Sequence, residues 1–238
     1  PPELPCRAGQ RPEAQFLRRL QAFPADPHRD RRNVRLPVQL QEINDASHEK
    51  IGQEDIEKRK EMYGDNLTDA QLDQLETICD KINALGMSFG IWVEPEMLNV
   101  NSDLYRLHPD WAMDIPGCAH SEGRNQRILD LCNPEVSEYI IDSMTKVFSS
   151  ANIAYVKWDM NRIFSDYYSK YLKAQGRPQG ETAHRYVMAL GRIMRTLTER
   201  FPHILFEGCA AGGNRFDLGI LCYFPQIWAS DNTDAVSR

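Results

Sequence analysis

The sequence predicts an α/β fold of the parallel type, a (β/α)8 barrel in particular, because short apolar runs alternate with amphipathic helical patterns. The apolar runs are bounded by polar or turn residues, as in strands buried on both faces. They span residues 89–93, 153–158, 203–206 and 226–230. Helical patterns cover about 67–85, 133–149 and 183–200. The order strand–helix–strand–helix–strand–strand favours the barrel, with a doubly wound sheet as the alternative.

The helix boundaries are marked by residues that favour the start or the end of a helix. Leu67-Thr68-Asp69 is expected to cap the first helix, and Gly86 to end it. The second helix is expected to begin at Asn133-Pro134-Glu135, since proline is favoured at the first helical position. The third has apolar residues at helical spacing from Tyr186 to Leu197. Each helix therefore has one face that can cover a sheet.

Residues 1–60 differ in character from the rest and are expected to form a leader before a barrel domain at 61–238. Residues 1–37 contain seven of the fourteen prolines and eight arginines, and proline breaks helices by fixing φ and removing a backbone donor. The basic run His28–Arg32 lies among acidic residues without interleaved aromatic residues, which argues against a nucleic-acid arm. No methionine or apolar segment opens the chain, so no signal peptide is expected.

Composition narrows the class of protein. A formal net charge of −6 argues against a broad nucleic-acid surface. Mean hydropathy is −0.54, and no apolar run approaches the roughly 18 residues of a membrane helix. The six cysteines are dispersed and form no Cys-x-x-Cys pair, which favours a reducing compartment and hence a cytoplasmic location.

Carboxylates follow the predicted strands and are the strongest chemical signal. They are Glu94, Glu96, Asp159, Glu207 and Asp231. The carboxyl ends of parallel strands meet on one face, where barrel enzymes place catalytic groups. Glycoside hydrolysis requires two carboxylates across a pocket, one as nucleophile or base and one as acid. Salt-bridge or capping roles remain the alternative interpretation of these residues.

Two side-chain types near these strand ends suit a sugar site. Lys157 lies two residues before Asp159 on a strand, so both side chains point to the same side, and an ammonium group favours the ionised carboxylate. Trp92, Trp158 and Trp228 offer flat apolar faces for a sugar ring. Burial in the core is the more frequent role of tryptophan and is the preferred interpretation from the residues alone.

Other catalytic classes lack their sequence signatures. The six histidines show no metal-binding spacing on a helix. The glycines of Gly208–Gly213 match neither phosphate-binding fingerprint, and no serine lies in a Gly-x-Ser-x-Gly elbow.

Several motifs in a fixed order give the chain a strong resemblance to the bacterial family 36 α-galactosidases, or melibiases, over about residues 68–238. The motifs are Trp92-Val93-Glu94-Pro95-Glu96-Met97, His108-Pro109-Asp110-Trp111, Arg124-Asn125-Gln126, Lys157-Trp158-Asp159-Met160-Asn161-Arg162, Gly212-Gly213-Asn214-Arg215-Phe216-Asp217 and Trp228-Ala229-Ser230-Asp231-Asn232-Thr233-Asp234-Ala235.

The resemblance implies a retaining exo-glycosidase that removes terminal α-linked galactose from oligosaccharides of the melibiose and raffinose type. It implies Asp159 as the nucleophile and Asp231 as the acid/base, with the two carboxyl groups roughly 5–6 Å apart. It implies a substrate pocket formed by Trp92, Arg124, Lys157, Asn161, Cys209 and Gly212. It also implies no metal and no redox cofactor, and homo-oligomers among full-length relatives; the net charge and the acidic surroundings of the basic run, rather than the resemblance, exclude a nucleic-acid partner. Asp234 is expected to have a structural role.

The sequence also departs from the family pattern. The family's earlier strand with paired aspartates and a tryptophan is not found in residues 1–88, and the chain ends at Arg238, soon after the acid/base motif. The matched part resembles the third to sixth barrel strands, so we expect the isolated chain to be marginally stable or aggregation-prone. The family's cysteine-serine-glycine loop reads Cys209-Ala210-Ala211. The alternatives are an α-N-acetylgalactosaminidase on the same scaffold and an inactive sugar-binding or assembly remnant.

Overall fold

The computed structural model describes residues 69–123, 125–162, 164–232 and 234, and its centre is a four-stranded parallel sheet. In chain order the elements are α1 (Asp69–Ala84), β1 (Phe89–Val93), β2 (Met97–Asn99), α2 (Asp103–Leu107), β3 (Gln126–Ile128), α3 (Pro134–Ser149), β4 (Ile153–Trp158), α4 (Lys170–Ala174), α5 (Thr182–Arg200), β5 (Leu205–Gly208), α6 (Leu218–Leu221) and β6 (Gln226–Ile227). The leader at 1–60, the predicted cap at Leu67-Thr68 and the site residue Arg124 lie outside the described residues.

The sheet has the strand order β1-β4-β5-β6, and all of its pairs are parallel. Trp92 pairs with Lys157 across β1 and β4, and Lys157 pairs with Glu207 across β4 and β5. Because neighbouring strands run in the same direction, their carboxyl ends lie along one edge of the sheet. The prediction of a parallel α/β fold and of a barrel segment is confirmed.

Two long helices, α3 and α5, cover the sheet and match the predicted ranges closely. Asn133 caps α3 by accepting a hydrogen bond from the Glu135 N–H, with Pro134 at the first helical position. Buried residues follow one face of α5 at intervals of three and four, which is the pattern that predicted this helix. They are Tyr186, Leu190, Ile193, Met194 and Leu197.

An aromatic cluster lies at the centre of the core. The rings of Phe206 and Phe224 stack with centroids 5.4 Å apart, and Phe148 meets Phe206 edge-on at 5.8 Å. The Trp158 ring lies 5.8 Å from Phe224 and is fully buried. These contacts join α3, β4, β5 and the segment after α6, so the strands that carry the predicted site share one packed core.

The structure also contains elements that the sequence pattern did not predict. Strands β2 and β3 form an antiparallel pair in which Met97 faces Ile128. Each has three residues, too few to show alternation, and the pairing spans a long stretch of chain. Strand β6 is shorter than the predicted 226–230, because only Gln226 and Ile227 join the ladder with β5.

The described helices include none with both the length and the apolar character needed to cross a membrane. The five described cysteines, which are Cys79, Cys118, Cys132, Cys209 and Cys222, all carry free thiols.

Candidate active site

Asp159 follows β4 directly, and its carboxylate is held by three hydrogen-bond donors. Its Oδ2 accepts hydrogen bonds from Asn161 Nδ2 at 2.7 Å and from Trp92 Nε1 at 3.2 Å. Its Oδ1 accepts one from the backbone N–H of Met160 at 2.8 Å. The residue is only 4% exposed. Donors on β1 and on the β4 exit therefore fix the orientation of this carboxylate.

Asn161 bridges two carboxylates at the strand ends. Besides Asp159, its Nδ2 donates to Glu94 Oε1 at 2.8 Å, and Glu94 Oε2 accepts from Gln126 Nε2 at 3.4 Å. Gln126 begins β3, so the antiparallel pair supports the site from the side of β1. Sequence reasoning missed Gln126 in this role, because only the fold brings it to Glu94.

Asp231 lies beyond β6 and is exposed, in contrast to Asp159. Its Oδ1 accepts a hydrogen bond of 2.6 Å from Trp228 Nε1. The ammonium of Lys157 lies 4.4 Å from the centroid of the Trp228 ring, within range of a cation–π interaction. A contact chain thus joins the β4 residue Lys157 to the carboxylate that follows β6.

Cys209 and Gly212 lie in the loop after β5, between the strands that carry the two aspartates. Burial raises the pKa of the Cys209 thiol to about 12; a backbone hydrogen bond from Gly212 opposes this shift, and the nearby Asp159 carboxylate adds to it. Gly212 has a φ of +89°, and a Cβ there would lie 3.1 Å from the Ala229 oxygen. Only glycine meets both conditions without strain.

Two of the five predicted carboxylates are closed off by protein contacts. Glu96 is fully buried and accepts hydrogen bonds from Trp158, Tyr186 and Arg215. Glu207 is 3% exposed and accepts from Gln226 Nε2 at 2.6 Å. The salt-bridge alternative is therefore correct for Glu96. Glu207 lies within β5 and accepts a side-chain hydrogen bond, which is neither a salt bridge nor a cap.

The three tryptophans near the strand ends have different surroundings. Trp158 is fully buried, as the preferred interpretation predicted. Trp92 is 46% exposed although its indole contacts Asp159, and Trp228 is half-buried beside Asp231. The prediction of core burial is therefore right for Trp158 and wrong for Trp92.

The structure brings most of the sequence-predicted residues to one edge of the sheet. Trp92 and Asn161 contact Asp159, Lys157 contacts Trp228, and Trp228 contacts Asp231. In the described part of the chain, no group of three or more His, Cys, Asp or Glu side chains is arranged to hold a metal ion. A parallel α/β segment with polar and charged side chains gathered at its strand ends defines the class as a parallel α/β domain with a candidate site at that edge.

Comparison with known proteins identifies the family. The melibiase family model matches residues 56–238. The chain therefore belongs to the melibiase family, as the motifs predicted.

Named relatives agree with this assignment. Alpha-galactosidase AgaA of Geobacillus stearothermophilus is 54% identical over 164 residues, which are 69% of this chain and 22% of that protein. Alpha-galactosidase C of Emericella nidulans is 54% identical over 152 residues, which are 64% of this chain and 19% of that protein. The chain thus spans about a fifth of the length of these curated relatives.

Solved structures show the same fold. The crystal structure of the GH36 alpha-galactosidase AgaA from Geobacillus stearothermophilus matches at a TM-score of 0.65 and 53% identity, covering 69% of this chain and 23% of that one. A variant of AgaA in complex with stachyose matches at a TM-score of 0.66 and 53% identity, with the same shares covered.

Proposed function

We propose that this chain carries the catalytic strands of a retaining exo-α-galactosidase that acts on oligosaccharides of the melibiose and raffinose type. The observation that carries the proposal is the pair of aspartates at one edge of the sheet. Asp159 is buried and held by three donors, and Asp231 is exposed and held by one. Relatives named as α-galactosidases, including AgaA variants in complex with raffinose and stachyose, support the substrate class.

The two environments suit two different steps. Asp159 would attack the anomeric carbon, because its fixed carboxylate needs little reorganisation on the way to the transition state. Asp231 would donate a proton to the departing oxygen and then accept one from water, and its exposed position gives access to both partners. A covalent galactosyl intermediate follows, with overall retention of configuration. Lys157, Arg124, Trp92, Cys209 and Gly212 would line the galactose pocket, and Asn161 would contact both Asp159 and a sugar hydroxyl.

Domain organisation and location complete the proposal. The family match begins at residue 56, inside the predicted leader at 1–60, and supports a barrel segment that starts close to the predicted boundary at 61. The free thiols of the five described cysteines support a reducing compartment and hence the predicted cytoplasmic location.

The first test is hydrolysis of p-nitrophenyl α-D-galactoside by the purified chain, beside Asp159→Gly and Asp231→Gly variants. Both variants are expected to lose about 10³-fold or more in kcat. The first galactose formed by the unsubstituted chain should be the α anomer, as seen by proton NMR. A β anomer would exclude the retaining mechanism.

Added azide separates the roles of the two aspartates. In Asp159→Gly, azide should replace the nucleophile and give β-galactosyl azide. In Asp231→Gly, azide should attack the covalent intermediate and give α-galactosyl azide. Exchanged products would reverse the two assignments.

Turnover of p-nitrophenyl α-N-acetylgalactosaminide in preference to the galactoside would favour the N-acetylgalactosaminidase alternative. Absence of turnover in a folded sample would favour the inactive remnant.

A further inference from the structure

An ion pair between Arg215 and Glu96 anchors the loop between β5 and α6, and the proposed mechanism does not use it. Arg215 donates to both oxygens of Glu96, from Nη1 to Oε1 at 2.7 Å and from Nη2 to Oε2 at 2.8 Å. This is the paired geometry in which Arg and carboxylate groups bind most strongly. Glu96 is fully buried, and the Arg215 side chain is 19% exposed.

Glu96 is itself fixed by the core. Its Oε1 accepts a hydrogen bond of 2.9 Å from Trp158 Nε1, and its Oε2 accepts one of 2.8 Å from the Tyr186 hydroxyl. Trp158 belongs to β4 and Tyr186 to α5, so the acceptor is held by two rigid elements. Burial raises the pKa of Tyr186 well above its usual value, and the Glu96 charge adds to this, so the hydroxyl stays a donor.

The anchored loop in turn holds the segment that leads to Asp231. The backbone N–H of Gly213 donates to the Ala229 oxygen at 3.1 Å, and Gly212 lies against the same peptide. Asn214 closes the loop by donating from Nδ2 to the Ala210 oxygen at 2.8 Å. Asp231 lies two residues beyond Ala229. The described contacts therefore run from the core through the loop to the exposed carboxylate.

We propose that Arg215, through its ion pair with Glu96, is a positioning residue for the acid/base Asp231. The inference deepens the proposed function and rests on it for the chemical role of Asp231. Arg215 does not touch the reacting atoms. It fixes the loop whose backbone determines where the Ala229–Asp231 segment lies, and small displacements of a catalytic group lower rates strongly.

Variants of the pair must avoid leaving a buried charge alone, because Arg215→Met by itself strands the Glu96 carboxylate in the core. The double variant Glu96→Gln/Arg215→Met removes both charges. The glutamine oxygen still accepts from Trp158 Nε1, and its amide nitrogen donates to the Tyr186 hydroxyl, which turns to accept. Arg192→Met is the matched control, because Arg192 forms a 2.6 Å ion pair with Glu138 on the surface.

A kinetic readout isolates proton donation from stability. Loss of acid assistance slows a poor leaving group far more than a good one, since only the poor one needs a proton. In the double variant, kcat/KM for melibiose should fall about 10²-fold, while kcat/KM for dinitrophenyl α-galactoside stays within about threefold. A partly unfolded sample would lower both values equally, so equal losses would overturn the proposal.

A second readout does not depend on turnover. With fluorotryptophan incorporated at the four tryptophans, the Trp228 fluorine resonance reports the indole that donates to Asp231. It should shift or broaden in the folded double variant and stay unchanged in Arg192→Met. An unchanged Trp228 resonance in the double variant would overturn the positioning role. If the unsubstituted chain shows no turnover, the proposed function fails while this resonance still decides whether Arg215 positions the segment.

Discussion

At the scale of single residues, each aspartate of the proposed pair is held by an indole N–H. Trp92 donates to Asp159 and Trp228 donates to Asp231. Both tryptophans therefore have a polar contact in addition to the apolar face that we propose for a sugar. Asp159 differs in having a further side-chain donor, Asn161, which it shares with Glu94. Without that donor, two carboxylates at the ends of neighbouring strands would face each other unbridged.

Removal of the Asn161 bridge should impair Asp159, the proposed nucleophile. We expect Asn161→Ala to lower kcat on p-nitrophenyl α-galactoside by about 10- to 100-fold, since a hydrogen bond to a charged group contributes about 1.5–3 kcal/mol. Asn161→Asp should be worse, because it adds a third carboxylate beside Asp159 and Glu94. Asn152→Ala is the control, as this exposed residue lies at the opposite end of β4. Equal activity of Asn161→Ala and Asn152→Ala would contradict the bridging role.

At the scale of elements, the strands and the long helices were predictable because their signals are local. Periodicity and end residues predicted α3 and α5, and short apolar runs predicted β1 and β4. The run at 203–206 predicted a strand there but placed it two residues early, since β5 is Leu205–Gly208. The β2–β3 pair and the Glu96–Arg215 ion pair were not, since both join residues far apart in sequence. For the same reason, the sequence could not show that two carboxylates only two residues apart have different surroundings. Glu94 accepts a hydrogen bond from Asn161 at the site, whereas Glu96 pairs with Arg215 in the core.

The loop after β5 also has a backbone requirement that can be tested separately. Gly212→Ala places a Cβ 3.1 Å from the Ala229 oxygen at a φ of +89°. We expect a loss of about 1–3 kcal/mol in the free energy of unfolding, because a non-glycine residue is strained there. Urea unfolding followed by tryptophan fluorescence would measure it.

Two further glycines serve as matched controls for that loss. Gly86→Ala also has a positive φ, of +77°, but no atom lies within 4 Å of the added Cβ, so it reports backbone strain alone. Gly180→Ala has no neighbour within that distance and no positive φ, and should be neutral or slightly stabilising. A Gly212→Ala variant as stable as Gly180→Ala would show that the loop adjusts freely.

At the scale of the whole molecule, one hydrophobic cluster connects all the long elements, so the site depends on the stability of the complete core. Two further buried thiols, which are not members of this cluster, cannot ionise easily. Burial raises the pKa of Cys132 to about 12, and the Asp130 carboxylate beside it acts in the same direction. Burial likewise raises the pKa of Cys209 to about 12. Both residues are less than a tenth exposed.

These two thiols should make the folded state less stable in alkaline solution. A group with a raised pKa in the folded state contributes its full stability below the pKa of the unfolded chain and loses it as the pH rises toward the folded value. Between pH 8.5 and 9.5 the unfolded thiols ionise while Cys132 and Cys209 stay protonated. The free energy of unfolding should therefore fall by at most ~1 kcal/mol per cysteine over this interval. Urea unfolding at the two pH values measures the fall, and Cys132→Ala/Cys209→Ala should reduce it.

Burial also raises the pKa of Cys79, but that thiol is present in both the unsubstituted chain and the double variant, so its contribution cancels in the comparison. An identical pH dependence in the variant would mean that the two thiols ionise as readily in the folded chain as in the unfolded one.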